Sequence, residues 1–143
     1  MLRIVGLAVI CVGLMVDMGS NLAAFIDPPA TLIVIVSTMG MLLLGGHSIS
    51  AMLKSAISGD ATPDELREGA KGWQMASWYV LGAGFMGILI GGLVMLKNLD
   101  DPAAIGPGIS IGMLTLVYGV FLGLFIFLPI QSRIESRIVE SGS

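Results

Sequence analysis

The chain has 143 residues, of which 55% are hydrophobic and 12% charged, and its mean hydropathy is +0.94. A soluble domain of this length carries about twice that share of charge, so an ordinary water-soluble domain is excluded. The formal net charge of −3 is spread along the chain without a basic patch, which argues against nucleic-acid binding. The single cysteine, Cys11, lies in an apolar run and supplies neither a disulfide nor a metal framework.

Four apolar segments follow one another along the chain, at about residues 2–16, 30–46, 74–96 and 105–130. A membrane-spanning helix needs about 20 mostly apolar residues, which the last two segments reach and the first two reach with their flanks. We therefore predict an all-α integral membrane protein with four spanning helices in one domain over residues 1–143. The predicted helices cover about residues 2–18, 29–58, 62–98 and 104–140.

The first segment follows Arg3 and resembles a secretion signal in length. No small-x-small cleavage motif follows Val16, so we predict a retained helix. The run Asp27-Pro28-Pro29 then predicts a tight turn into the second helix.

Residues 47–72 form a short polar connection between the second and third segments. Gly59-Asp60 is expected to end a helix that continues from the second segment. Thr62, Pro63 and Glu65 then predict a capped helix start, because Thr62 and Glu65 have the spacing of a capping box. A helix from there to Leu96 is roughly 50 Å long, more than a bilayer core, so it should project from the membrane.

The basic residues indicate the orientation. Lys97 lies on one side of the predicted membrane, and the other six basic residues lie on the opposite side: Arg3, Lys54, Arg67, Lys71, Arg133 and Arg137. Because cytoplasmic loops are enriched in Lys and Arg, both termini are predicted to be cytoplasmic. Three aromatic residues are predicted to lie at the interface that the third helix crosses: Trp73, Trp78 and Tyr79.

None of the four apolar segments contains Asp, Glu, Lys, Arg or His. A pump or transporter that acts alone usually carries an ionisable group within the membrane, so a partner must supply it if ions cross here. His47, at the end of the second helix, is more typical of a solvated or capping residue than of a proton relay. Most membrane Ser and Thr hydroxyls bond a carbonyl one turn back. Thr115 is the exception we single out, because it lies within a glycine stripe.

Small residues recur at helical spacing in the third and fourth segments. The members of these two stripes are Ala83, Gly87, Gly91, Gly108, Gly112, Gly119 and Gly123. Such stripes allow close helix packing, either within the chain or against a partner helix, and the sequence leaves both open. Pro129 predicts a kink near the membrane exit, and Ile130, Ile134 and Ile138 predict an amphipathic helix beyond it.

The junction from Met95 to Pro107, with the stretch from Leu114 to Ile130 that follows it, resembles the flagellar stator subunits MotA and PomA. So does the early stretch Phe25-Ile26-Asp27 with Leu32-Ile33-Val34. The chain is similar to this family, whose superfamily includes TolQ and ExbB, along all four predicted helices. It looks like a minimal member, because residues 47–72 replace the large cytoplasmic domain of flagellar members.

The resemblance implies a pentameric ring around two single-pass helices of a MotB-, TolR- or ExbD-like partner that carries the ion-binding aspartate. It places the third and fourth helices around the pore, with candidate pore-facing residues Thr115, Leu116, Ile88, Ser110 and Tyr118. Leu116 and Ile88 stand where motility and sodium-type members, respectively, carry threonines, which favours protons over sodium. Leu81 replaces a family proline.

We therefore expect a MotA-like ion-channel subunit of the bacterial inner membrane that converts proton-motive force into movement of a partner. No enzyme activity, bound cofactor or metal is expected. A non-conducting scaffold with the same ring architecture is the alternative, since Leu116 and Ile88 would dry the pore. A small solute exporter is a third interpretation, which the lack of a membrane charge disfavours.

Overall fold

The structure, a computed structural model, describes residues 26–141 and Gly6. The predicted first helix, with Arg3, Cys11 and Asp17, otherwise lies outside the described residues. Over residues 26–141 all regular structure is helical. The helices are α1 Pro28–Leu44, α2 Ile49–Ile57, α3 Pro63–Lys97, α4 Pro102–Val120, a π-helical segment Phe121–Phe127 and α5 Leu128–Ser141.

Two of these helices are long and apolar enough to cross a membrane: Pro63–Lys97, and the continuous helix Ile105–Glu140 that combines most of α4, the π-helical segment and α5. A third span results if α1 and α2 are counted as one broken helix. The all-helical prediction is confirmed for residues 26–141, and the four-span count, the orientation and the ring stay predictions.

The prediction of one helix over residues 29–58 is wrong. The chain instead turns by 109° between α1 and α2. Gly46 adopts φ 69°, a left-handed conformation that favours glycine, and it ends the helical path. The Ser48 hydroxyl then accepts the N–H of Ala51 at 3.3 Å and caps a new helix. We call this turn, residues 45–48, the elbow.

The capped start of α3 is confirmed. Thr62 accepts the N–H of Glu65 at 3.3 Å, and the Glu65 carboxylate accepts the N–H of Thr62 at 3.0 Å. Pro63 occupies the first turn. With two orphan donors satisfied, α3 runs for 35 residues to Lys97, or about 52 Å.

The helix α2 is held against the first turns of α3. The Trp73 indole N–H donates to the carbonyl of Met52 at 3.0 Å. Gly69 leaves room for Ser55, and Gly72 leaves room for Met52. The backbones therefore approach closely, and α2 is fixed across α3 rather than extending α1.

The helix α5 completes a small cluster at this end of the molecule. Its Ile134, 1% exposed, packs with Leu66 and Ala70 of α3. The Arg137 guanidinium donates to the carbonyls of Ser55, Ser58 and Gly59 at 2.9, 2.9 and 3.0 Å. A positive charge on the last carbonyls of a helix is favourable, so Arg137 fixes the end of α2.

The residues before Pro129 form the π-helical segment, in which the Leu128 N–H bonds the carbonyl of Gly123. A proline supplies no N–H to the helix ladder, and a shift to i→i+5 bonding is one way to accommodate it. The helix continues through Pro129 into α5. The predicted kink at this position stays a prediction.

Candidate pore and partner-helix surface

The small-residue stripes form a seam between α3 and α4. A methyl group added at Gly91 would meet the Gly108 carbonyl and lie 2.9 Å from the Gly112 nitrogen. One added at Gly119 would lie 2.7 Å from the Val80 carbonyl oxygen. Close backbone approach is therefore obligatory along this seam. The sequence allowed these glycines to pack either within the chain or against a partner helix. The structure shows that they pack within the chain.

The other stripe residues belong to the same seam. Ala83 is 0% exposed. A methyl added at Gly108 would lie 2.9 Å from the Gly91 carbonyl oxygen, and one at Gly123 would lie 3.1 Å from Val80 Cγ1. Every predicted stripe residue thus has its neighbours in the opposite helix of this chain or in the core.

Thr115 lies inside this seam. Its side chain is 0% exposed and occupies the space that Gly87 leaves free. Its hydroxyl donates to the Gly112 carbonyl one turn back at 2.8 Å. Thr38, Ser77 and Thr31 bond carbonyls of their own helices in the same way. In this structure Thr115 therefore seals the α3–α4 contact from within and presents no surface to an ion or a partner.

Ile88 and Leu116 lie together along one edge of the seam. A methyl at Gly112 would be 3.3 Å from the Ile88 Cα atom, and a methyl at Gly84 would be 3.3 Å from the Leu116 Cα atom. Their side chains are 36% and 38% exposed. We define the seam face as the exposed surface at this edge, with Met113 of α4, 64% exposed, beside them.

Tyr118 lies on the other edge of the seam. It follows Leu116 by two residues, or about 200° around the helix. Its hydroxyl accepts the N–H of Asp27 at 3.1 Å, so it contacts the start of α1. Ser110 is exposed on α4, about 160° from Gly112 and hence away from α3. The five candidate pore residues therefore do not share one surface: Ile88 and Leu116 share the seam face, and the others do not.

The acidic and basic side chains of the described residues lie outside the apolar segments. Lys54 Nζ is 2.8 Å from Glu65 Oε1. This contact, with the hydrogen bonds at Thr62, lowers the pKa of Glu65, and the Glu65 carboxylate raises the pKa of Lys54. Both groups are outside the apolar segments. The Tyr79 and His47 rings meet at 6.4 Å beside the elbow. Within the described part of the chain, no three His, Cys, Asp or Glu side chains gather as a metal site would need.

The sequence reasoning missed Gly84, whose added methyl would lie 2.8 Å from the Thr115 carbonyl oxygen. Its signal was present, because Gly84 is three residues before Gly87 and seven before Gly91. It also missed Arg137 as the residue that fixes α2. No local pattern could have paired positions that are 78 residues or more apart.

A family model described as the MotA/TolQ/ExbB proton channel family matches residues 34–141. The chemotaxis protein PomA of Vibrio alginolyticus is 37% identical over 98 residues, 67% of this chain and 38% of that protein. Motility protein A of Cereibacter sphaeroides is 32% identical over 98 residues, with 67% and 39% covered. An uncharacterised protein, YtxD of Bacillus subtilis, is 35% identical over 91 residues, with 64% and 33% covered. The chain thus spans less than two fifths of the length of these relatives.

Among solved structures, the flagellar MotAB stator complex of Bacillus subtilis matches with a TM-score of 0.77. The match covers 98% of this chain and 82% of that chain at 14% identity, so it shows the fold alone. The family model covers most of the helical bundle, including the junction on which the resemblance was based. The chain is therefore a membrane protein that belongs to the MotA/TolQ/ExbB proton channel family.

Proposed function

We propose that this chain is the ring-forming subunit of a stator-type proton channel. In this proposal it surrounds two single-pass helices of a MotB-, TolR- or ExbD-like partner and converts proton-motive force into movement. The observation that carries the proposal is that residues 74–96 and 105–130 contain no Asp, Glu, Lys, Arg or His. A proton channel built on these helices needs an ionisable group from elsewhere.

The energetics favour a carboxylate that is carried by the partner. A charged side chain at the bilayer centre costs about 2.5–3.5 kcal/mol on insertion scales. Protonation removes that charge, so it changes which position of the partner helix is favourable. Coupling of ion flow to movement then follows, because each protonation alters the position at which the partner helix is most stable against the ring.

The seam face is the surface that we propose for the partner helix. Ile88 and Leu116 are partly exposed there, and α1 covers the opposite edge through Asp27 and Tyr118. Thr115 lies directly behind this surface and keeps α3 and α4 together. An apolar face without a free hydroxyl gives no ligands for a hydrated sodium ion, which supports protons as the transported species.

The similarity in fold to the MotAB stator complex supports a proposal for the whole assembly. We propose a homopentamer with two partner copies, in the bacterial inner membrane with both termini cytoplasmic. The relatives named above as chemotaxis and motility proteins suggest a flagellar motor as the machine. In this chain the connection between α2 and α3 is the five-residue turn 58–62.

Proton flux in vesicles tests the proposal. The chain is co-purified with a single-pass protein that carries a membrane aspartate, reconstituted, and driven by a pH gradient. We expect flux with the intact partner and no flux when that aspartate is replaced by asparagine. Flux that is unchanged by the replacement, or that the chain gives alone, would refute a borrowed carboxylate.

A non-conducting scaffold of the same architecture is the second candidate, and the apolar side chains of Ile88 and Leu116 favour it. The substitution Leu116→Trp separates the two functions. It should abolish flux in a channel, because a bulkier hydrophobic constriction excludes water. A scaffold should assemble with its partner and show no flux before or after the change. Leu32→Trp, at a 62% exposed position of α1, is the matched control.

A further inference from the structure

The elbow between α1 and α2 encloses a cavity of about 180 Å³. Its walls come from α1, α2, α3 and the π-helical segment. We propose that this elbow cavity binds the acyl chain of a membrane lipid. The cavity lies on the α1 side of α3, at the edge opposite the seam face. The proposal is independent of the proposed function.

The walls of the elbow cavity offer no free hydrogen-bonding group. Thr38 is the polar aliphatic residue in the lining, and its hydroxyl donates to the Val34 carbonyl at 2.7 Å. Trp73 lines the cavity, and its indole N–H is bonded to the Met52 carbonyl at 3.0 Å. A cavity holds water only where the water finds two to four polar partners. The occupant must therefore be apolar.

The cavity has a closed floor and an open mouth. Its floor is made by Val34, Ala76 and Val80, each 1% exposed. At the mouth, Ile35 and Leu53 are each 51% exposed. An apolar cavity of about 150 Å³ is large enough for a benzene molecule, so a cavity of this size accepts a comparable length of hydrocarbon.

The surroundings of the mouth match a lipid at the edge of the bilayer. The 109° turn sets α2 across the direction of α1. With α1 spanning the bilayer, as we propose, α2 would lie along the membrane surface. On its outer side Leu53 and Ile57 are exposed, the latter by 80%. Lys54 follows on the same short helix with a 60% exposed side chain. A molecule with a polar head and an apolar tail fits this sequence of surfaces.

The groove continues beyond the cavity, along α1. A second apolar cavity, of about 320 Å³, shares Val34, Ile35 and Leu122 with the first and reaches Ile26. From Ile26 to the elbow is about 19 residues, or about 28 Å of helix, which is close to the hydrocarbon thickness of a bilayer. A chain that enters at the elbow can thus extend into the bilayer along one continuous apolar wall.

Quenching of Trp73 by brominated lipid tests the proposal. The variant Trp78→Phe leaves Trp73 as the one tryptophan, and the full chain is reconstituted in phosphatidylcholine with or without bromine on the acyl chains. We expect loss of Trp73 emission in the brominated vesicles. The reciprocal variant, Trp73→Phe, reports surrounding lipid through Trp78, which is 66% exposed, and shows that the protein is inserted.

Two further variants connect the quenching to the cavity. In the Trp78→Phe background, Ala76→Leu fills the floor and Ile35→Phe narrows the mouth, and each should restore much of the Trp73 emission. The matched control, Ala103→Leu, changes an exposed position at the far end of α4 and should leave quenching intact. Ile35→Phe tolerates its larger side chain at a half-exposed site, so it serves if Ala76→Leu does not fold.

Two results would overturn the proposal. Unquenched Trp73 in brominated vesicles would mean that protein, either another segment or a second copy, covers the mouth. Quenching that neither Ile35→Phe nor Ala76→Leu reduces would mean that bromine reaches Trp73 without entering the cavity.

Discussion

Two adjacent glycines of α3 provide a matched test of the seam. Gly91 faces α4, and an added methyl would meet the Gly108 carbonyl and lie 3.0 Å from the Gly112 Cα atom. Gly92 has nothing within 4 Å of the same added atom. Alanine at either position gains about 1 kcal/mol of helix propensity over glycine. Only Gly91→Ala must move backbone, because its neighbours are main-chain atoms rather than flexible side-chain ends.

The expected difference in the free energy of unfolding between the two variants comes from packing alone, because both gain the same helix propensity. Extra methyl groups in a tightly packed interior cost about 1–3 kcal/mol. The propensity gain is the same for both variants and cancels in their difference. Gly91→Ala should therefore be about 1–3 kcal/mol less stable than Gly92→Ala, while Gly92→Ala should equal or exceed the original protein.

Thermal or denaturant unfolding of the purified protein in one detergent measures this difference, with helix content as the signal. A second pair repeats the comparison: Gly84→Ala, beside the Thr115 carbonyl, against Gly82→Ala, which is open. Equal stabilities within both pairs would refute a close-packed α3–α4 seam.

Three further predictions concern the elbow and the cluster around α2. Arg137→Met removes three hydrogen bonds to carbonyls at the end of α2. It should lower the free energy of unfolding by about 1–3 kcal/mol and speed tryptic cleavage near the end of α2. Arg133→Met, at an exposed site, should change neither. Gly46→Ala places a side chain at φ 69° and should cost about 1–2 kcal/mol, while Gly40→Ala, within α1 with open space around it, should be neutral or stabilising. The pKa of Glu65 is lowered from 4.5 in the folded chain by its lysine partner and the Thr62 cap. The contribution of Glu65 to stability is therefore present above pH 4.5 and lost as pH falls through the folded pKa. The unfolding midpoints of Glu65→Gln and the original protein should converge in acid, and a difference between them that does not change with pH would contradict the pairing.

Local chemistry predicted the start of α3. Thr62, Pro63 and Glu65 act within one turn, so their pattern alone determines the cap that the structure shows. The family could also be predicted from the sequence, because the junction from Met95 to Pro107 is specific to that family. The glycine stripes were visible as a surface, but spacing on one helix does not say which helix packs against it.

The elbow between α1 and α2 could not be predicted from hydrophobic periodicity. Residues 29–44 and 49–57 are both helical and mostly apolar, so a count of apolar residues joins them. The break depends on one glycine conformation, at Gly46, and on the Ser48 cap. Thr115 shows the same limit on the site. The spacing of a hydroxyl within a glycine stripe is the same whether the stripe faces a pore or a neighbouring helix. Only the burial of Thr115 against Gly87 distinguishes the two arrangements.

Cysteine cross-linking tests most directly whether the seam face receives the partner helix. In a chain whose native Cys11 is replaced by serine, Leu116→Cys is paired with a cysteine next to the partner's membrane aspartate, and Leu32→Cys on the outer side of α1 is the control. We expect a disulfide with position 116 and none with position 32. A bond that forms at position 32 while position 116 stays unreactive would show that the partner lies elsewhere.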